Sequence, residues 1–101
     1  MAARQQITLD SFVAVAREQV SSDLGDEIAI LGLRRNTYYS VTGSGRRIWE
    51  LLQARRSVSE ILDLLIEEYT VDAERCREDL LALLGRLHEE GLIEVADAAA
   101  E

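Results

Sequence analysis

The residues of this chain that could perform covalent chemistry are its single cysteine, Cys76, and its single histidine, His88. A cysteine nucleophile needs a base within hydrogen-bond reach, about 3 Å. The apolar spacing around both residues predicts one helix, and twelve positions along a helix span about 18 Å. The two side chains therefore cannot act as a pair. Cys76 is interpreted either as a small core residue or as a groove residue, and His88 as a solvated residue near a helix C-terminus.

Metal and phosphate chemistry have no better support in the sequence. One histidine and one cysteine are too few for a zinc site within the chain. The acidic pairs Glu67-Glu68, Glu78-Asp79 and Glu89-Glu90 have members that point about 100° apart on a helix, as on a solvated face. Gly43-Ser44-Gly45 lacks the lysine of a P-loop and the third glycine of a dinucleotide-binding loop. We therefore predict no catalytic residue, no metal site and no cofactor.

Composition and charge restrict the class of protein. A chain of 101 residues, 48% hydrophobic and 30% charged, has the size and balance of one globular domain. It contains no apolar run of the roughly 20 residues that span a bilayer, and its first residues lack a secretory apolar segment. A lone cysteine fits a reducing compartment, so a cytoplasmic location is expected. The net charge of −8 argues against nucleic acid as a partner.

Three strands are predicted in the first half of the chain, at Phe12–Arg17, Asp26–Leu33 and Thr37–Val41, from their β-branched and apolar residues. The segment Glu18–Gly25 contains Ser, Asp and Gly and is predicted to be a loop. Arg35-Asn36 is predicted to be a two-residue hairpin turn, because asparagine tolerates a positive φ. The third strand is short, and we expect it at the edge of the sheet.

Three helices are predicted to follow the strands. Thr42 or Ser44 can cap the first helix, and the capping box Ser57–Glu60 begins the second. Asp72 is expected to cap the third helix, and Gly91 to end it as the C′ residue. The predicted buried stripes are Ile48, Leu51 and Leu52 with Trp49 on the flank; Val58, Ile61, Leu62, Leu65, Ile66 and Tyr69; and Cys76, Leu80, Leu83, Leu84 and Leu87.

This order of strands followed by helices is typical of the α+β class, with the helices in a compact winged-helix-like bundle. Leu92–Val95 can add a short strand or wing. Residues 8–95 are predicted to form the domain, and residues 1–7 and 96–101 to be flexible ends.

Two elements have the properties of a binding surface. An edge strand presents unpaired backbone N–H and C=O groups, and the third predicted strand contains two tyrosines. The third helix has more apolar residues than one stripe accommodates, since Leu81 falls away from the centre of that stripe. Either this helix packs on two neighbours, or it forms one side of a peptide groove that binds an added strand.

The chain resembles the PqqD-like family, the leader-peptide recognition domains of pathways that modify ribosomally made peptides. The resemblance covers roughly Phe12 to Val95. Members often have glycine where this chain has Asn36, and an Asn-Glu or Asp-Glu pair where it has Thr42-Gly43. The matching segments, in order, are Ile30–Leu33, Thr37–Val41, Gly45–Leu52, Ser57–Ile61, Tyr69–Asp72, and Asp79-Leu80 through Leu87 to Gly91–Ile93.

The resemblance implies a non-catalytic adaptor in which a three-stranded antiparallel sheet packs on a three-helix winged helix-turn-helix bundle. It implies that the leader of a precursor peptide binds as an added strand against the third strand and third helix. It also implies delivery of that peptide to a leader protease or another modifying enzyme, most closely as in lasso-peptide biosynthesis. The implied peptide-binding residues are Thr37, Tyr38, Tyr39, Ser40, Val41, Arg75, Cys76, Asp79, Leu80 and Leu83.

Two other functions are compatible with the sequence. A winged-helix transcription regulator would use the same bundle, but its recognition helix is basic, whereas Asp72–Asp79 is acidic at its start. A structural dimer could form by edge-to-edge pairing of the third strand. A monomer is the expected state, with no membrane partner.

Overall fold

The computed structural model describes residues 7–96, which form six strands and three helices. The helices are α1 (Ser44–Leu51), α2 (Val58–Glu68) and α3 (Ala73–Glu89). The strands are β1 (Phe12–Val15), β2 (Gln19–Asp23), β3 (Glu27–Gly32), β4 (Thr37–Thr42), β5 (Arg56–Ser57) and β6 (Ile93–Ala96).

The strands form two three-stranded antiparallel sheets. One sheet has the order β2-β3-β4, and the other has the order β5-β1-β6. The α+β class with three helices is thereby confirmed. The first predicted strand, β1, does not join the sheet that contains β3, because it pairs with β6 in the register Phe12↔Ala96 to Val15↔Ile93. The short strand or wing considered for Leu92–Val95 is thus β6.

The prediction of a loop over Glu18–Gly25 is wrong, because Gln19–Asp23 forms strand β2. β2 pairs with β3 along its full length, from Gln19↔Gly32 to Asp23↔Ile28. Four of its five residues are exposed. Since backbone pairing and not side-chain burial stabilises this strand, it has none of the apolar alternation from which a strand is predicted.

The predicted two-residue hairpin turn is also wrong. Gly32 pairs with Thr37, so the connection between β3 and β4 has four residues, 33–36. The reasoning about Asn36 is nevertheless confirmed, since its φ is 57°. The end of this turn requires the left-handed conformation that asparagine accepts.

The helix termini were predicted well except at α1. The Ser57 hydroxyl accepts a hydrogen bond from the Glu60 N–H (3.2 Å), and the Asp72 carboxylate accepts one from the Arg75 N–H (3.0 Å). α3 ends in a Schellman motif in which Gly91, at φ 76°, donates to the His88 carbonyl and Leu92 donates to the Leu87 carbonyl.

Helix α1 begins after Gly43, and the prediction that Thr42 or Ser44 caps it is wrong. Gly43 occupies the N-cap position with φ 57°, and no side chain caps the helix there. Its carbonyl accepts from the Arg46 N–H at 3.1 Å, which starts the helix without a side-chain oxygen. A positive φ at this point favours glycine over the two hydroxyl residues on either side.

The core lies between the inner faces of both sheets and the three helices. Trp49, predicted on the flank of the α1 stripe, is only 2% exposed, whereas Tyr69 of the predicted α2 stripe is 37% exposed. Ile7 packs against the core and Ala96 is in β6, whereas residues 1–6 and 97–101 of the predicted flexible ends lie outside the described residues. None of the helices within residues 7–96 is long and apolar enough to cross a membrane.

Candidate functional site

Strand β4 lies at the edge of its sheet, as predicted. Within residues 7–96, its only strand partner is β3. The side chains alternate along it: Val41 is buried, Thr37 and Tyr39 are half-buried, and Tyr38 and Ser40 are exposed. Its second edge therefore presents backbone N–H and C=O groups that are not used by another described strand.

Helix α3 runs beside the inner face of β4 in the opposite direction. The Thr37 hydroxyl donates to the Glu90 carbonyl just beyond the end of α3 (3.4 Å). One turn earlier in the helix, Arg86 Nε donates to the Tyr39 hydroxyl (3.1 Å). These contacts define a β4–α3 seam, in which the strand provides the free backbone edge and the helix lies along its inner side.

Helix α1 closes one end of the β4–α3 seam. A Cβ atom on Gly45 would lie 3.4 Å from Val41 Cβ and 3.6 Å from Leu83 Cδ2, so the end of β4, the start of α1 and the middle of α3 are in van der Waals contact. Val41 and Leu83 are thereby brought together, although 42 positions separate them in the sequence.

A mainly apolar cavity of about 150 Å³ opens beyond this contact. It lies between the first turns of α1, the end of α2 and the first half of α3. Two of its lining side chains are exposed apolar groups, Tyr69 (37%) and Val71 (47%). The complete lining is Ser44, Ile48, Leu65, Tyr69, Val71, Arg75, Cys76, Asp79 and Leu80.

Two arginines on α1 fix the position of this helix. Arg47 donates to both carboxylate oxygens of Glu68 on α2, at 2.8 and 2.7 Å. That pair lowers the pKa of Glu68 and raises the pKa of Arg47, mainly through the side-chain hydrogen bond. Arg46 donates to Asp23 at 2.8 Å, which together with the Gly25 N–H lowers the pKa of Asp23. The α1 side of the cavity is thus tied to α2 and to the β2–β3 turn.

Cys76 and Asp79 lie together on the α3 side of the cavity. Burial raises the pKa of the Cys76 thiol, and the nearby Asp79 carboxylate raises it further, because both disfavour the thiolate. Asp79 also forms an exposed ion pair with Arg75 at 3.5 Å. Both effects on the pKa of Cys76 disfavour the thiolate, which is the reactive form of a cysteine nucleophile, so the environment of Cys76 is that of a packing group.

The predicted site residues therefore divide into three groups. Arg75, Cys76, Asp79 and Leu80 line the cavity, although Leu80 is 1% exposed and contributes mainly to its base. Leu83, Val41, Tyr39 and Thr37 contact one another or their neighbours along the seam. Tyr38 and Ser40 point to the opposite, outer face of the sheet.

Sequence reasoning did not identify five of the nine cavity-lining residues, or Arg86 on the seam, as part of the site. Tyr69 is predicted in the core stripe of α2, and no binding role is predicted for Val71 or Arg86. The sequence offers one indication for Val71, an apolar residue directly before the predicted helix cap Asp72. The hydrogen bond between Arg86 and Tyr39 joins residues 47 positions apart, so local pattern could not reveal it.

Residues 27–93, more than half of the chain, match the family described as "Coenzyme PQQ synthesis protein D (PqqD)". The chain belongs to the PqqD family. The resemblance noted in the sequence is thereby confirmed. A solved structure described as "TbiB1 in Complex with the TbiA(beta) Leader Peptide" is similar to this chain, with a TM-score of 0.74 and 33% identity. The similarity covers 80% of this chain and 94% of that one. A search of curated proteins gave no match.

Within the described residues, no group of three or more His, Cys, Asp or Glu side chains is arranged to hold a metal ion.

Proposed function

We propose that this PqqD-family chain is a non-catalytic adaptor that binds the leader of a ribosomally made precursor peptide. The leader adds to β4 as a further antiparallel or parallel strand and lies over α3. The adaptor then presents the peptide to a leader protease or another modifying enzyme. The observation on which this proposal depends is the edge of β4 that no other strand within residues 7–96 occupies, next to the apolar cavity. The leader-peptide complex of the similar structure supports it.

The edge of β4 would provide affinity that is largely independent of leader sequence. A six-residue strand, Thr37–Thr42, offers backbone groups to a partner strand along about 20 Å. The contacts of Thr37, Tyr39 and Val41 with α3 and α1 fix this edge before any peptide arrives. Because the strand is already ordered, little conformational entropy is lost from the protein on binding.

The cavity at the end of the β4–α3 seam would provide specificity. Its volume of about 150 Å³ accommodates a single large apolar side chain. Transfer of such a side chain from water to the cavity contributes about 1.5–3 kcal/mol when burial is complete. The Arg75–Asp79 pair at the rim is exposed, so a charged leader residue there would alter affinity only modestly.

Lasso-peptide biosynthesis is the pathway that we propose, from the resemblance of this chain to the PqqD-like family. A separate leader protease would then be the downstream enzyme. We propose a non-catalytic role because the raised pKa of Cys76, the single cysteine, disfavours its thiolate, and because Cys76 lies at the far end of α3 from His88, the single histidine.

The test is a titration of this protein with the fluorescently labelled leader of the precursor peptide encoded beside its gene. A scrambled leader is the control. A series of leaders with one N-methylated backbone nitrogen each would follow. We expect saturable binding that falls at least tenfold at every second N-methylated position, because alternate N–H groups of an added strand point to β4.

Two results would contradict the proposal. Absence of binding by the folded protein would refute the adaptor function. Saturable binding without a two-residue period in the N-methylation series would refute strand addition while leaving leader binding in place.

A further inference from the structure

The face of α3 that follows β4 has a row of mainly charged side chains. Residues three or four positions apart share one face of a helix. Arg86 and Glu90 both contact β4, so the face that contains them is turned towards the strand. A leader paired with β4 would therefore pass along this row. Its members, at spacings of four, four, three and four, are Arg75, Asp79, Leu83, Arg86 and Glu90.

Arg86 is the arginine of this row that forms no ion pair within residues 7–96. Arg75 is already paired with Asp79 at 3.5 Å. Glu90 lies four positions from Arg86, a spacing at which opposite charges often pair on a helix. Arg86 Nε instead donates to the Tyr39 hydroxyl at 3.1 Å, and no carboxylate binds its guanidinium. An arginine without an acidic partner is notable on the proposed binding surface of a chain with a net charge of −8.

The hydrogen bond to Tyr39 leaves the end of the Arg86 side chain available to a ligand. A guanidinium has five N–H donors in a planar fork. The Tyr39 hydroxyl accepts from Nε, so four donors on the two Nη groups remain. Two parallel Nη donors match the two oxygens of a carboxylate. Since Arg86 is exposed and its Nε is already held by the half-buried Tyr39, little side-chain freedom is lost when a ligand binds.

The position of Tyr39 in β4 fixes which leader residue meets Arg86. Thr37, Tyr39 and Val41 face α3, and alternate side chains of an added strand are turned to that same side. The apolar cavity lies beyond Val41. The leader residue beside Tyr39 is therefore two or four positions from the residue whose side chain enters the cavity, or about 7 or 14 Å along the strand.

We infer that Arg86 determines leader specificity by binding an aspartate or glutamate of the leader beside Tyr39. This inference rests on the proposed function and narrows its ligand. The two Nη groups of Arg86 donate to the leader carboxylate, while Nε keeps its bond to Tyr39. The adaptor then selects leaders with an acidic residue two or four positions from a large apolar residue. It rejects a lysine or arginine at the acidic position, because two like charges would be brought together.

The test compares Arg86→Gln with the matched control Arg77→Gln. Both substitutions remove one positive charge from an exposed position of α3. Nine positions on a helix place Arg77 on the side opposite to Arg86. Each protein is titrated with the labelled leader of the precursor encoded beside its gene, and with leaders in which each Asp or Glu is changed singly to Asn or Gln. Thermal unfolding is measured for every variant, and Arg86→Met replaces Arg86→Gln if the latter unfolds.

We expect one neutralised leader position, two or four residues from a large apolar residue, to weaken binding. The loss should be about fivefold or more for wild-type protein and for Arg77→Gln. Arg86→Gln should bind the original leader as weakly as wild-type protein binds the neutralised one, and should not distinguish the two leaders. Arg86→Glu should bind a leader with lysine at that position more tightly than it binds the original leader.

A purely structural role for Arg86, in which it only holds Tyr39, gives a different result. Neutralising the leader acid would then cost the same affinity in wild-type protein and in Arg86→Gln, and this outcome would overturn the inference. A leader without any acidic residue at the stated spacing would also overturn it, as would one whose neutralisation leaves wild-type affinity unchanged. Tyr39→Phe, which removes the hydrogen bond but keeps the charge, should still distinguish the two leaders. Failure of wild-type protein to bind any leader would refute the proposed function itself, whereas tight binding without a preference for the acid refutes the role of Arg86 alone.

Discussion

Cys76 shows how one residue can serve both the core and the proposed site. The sequence predicts either a core residue or a groove residue at this position, and the structure places Cys76 half-buried in the lining of the cavity. Its pKa is raised, by burial first and by Asp79 second. At a given pH a smaller fraction of it is thiolate than in a solvated cysteine, and thiolate is the reactive species.

This environment predicts the reactivity of Cys76 towards a thiol reagent. Ellman's reagent should react more slowly at pH 8 than with a free cysteine peptide, and the rate should rise as pH increases beyond the ordinary thiol range. Saturating leader should reduce the rate at least tenfold, because a side chain in the cavity would cover the thiol. Since the chain has one cysteine, all labelling reports this position. Equal rates with leader and with scrambled leader would place the bound peptide elsewhere.

At the scale of elements, the helices and strand β4 were predictable from local patterns, whereas strand β2 was not. Ser57, Asp72 and Gly91 have local roles that depend on a few neighbouring residues, so the sequence alone identifies them. β2 depends on pairing with β3 and not on its own side chains. At the start of α1, Thr42 and Ser44 suggest a hydroxyl cap, but the N-cap residue is Gly43, which has a positive φ and no side chain to cap the helix.

The Asp72 cap connects helix stability to the site, because it lies one turn before Arg75 and Cys76 and two turns before Asp79. Asp72→Ala should lower the free energy of unfolding by about 1 kcal/mol, since the Arg75 N–H loses its acceptor. Asp72→Asn should retain most of the stability, because asparagine is also a good N-cap. Asp63→Ala, at an exposed position within α2, is the control and should have little effect. Urea unfolding measures all three. Equal stability of Asp72→Ala and Asp63→Ala would show that the cap contributes nothing.

The arrangement of the whole molecule depends on contacts between distant parts of the chain. β1 and β6 pair across about 80 positions, and no local pattern in Phe12–Val15 indicates that partner. The two sheets approach each other at Gly32, the last residue of β3. Gly32 pairs with Thr37 at the start of β4, and the turn between α3 and β6 packs against it. A Cβ atom on Gly32 would lie 2.5 Å from Thr37 Oγ1 and 2.9 Å from Leu92 Cδ2. The missing side chain of Gly32 is therefore a requirement of the tertiary structure, which a sequence pattern does not reveal.

Gly32→Ala and Gly85→Ala should have opposite effects on the free energy of unfolding. An added Cβ meets neighbouring atoms at Gly32 and open space at Gly85. Gly32→Ala must displace the Thr37 hydroxyl from the Glu90 carbonyl and move the fully buried Leu92, so we expect a loss of about 1–3 kcal/mol in unfolding free energy. Gly85 lies within α3 with no atom within 4 Å of an added Cβ, so alanine should stabilise by about 0.5–1 kcal/mol. Because Thr37 begins β4, Gly32→Ala should also weaken leader binding, whereas Gly85→Ala should leave it unchanged. If both variants unfolded at the same urea concentration as the wild type, the sheets would not meet at Gly32 as described.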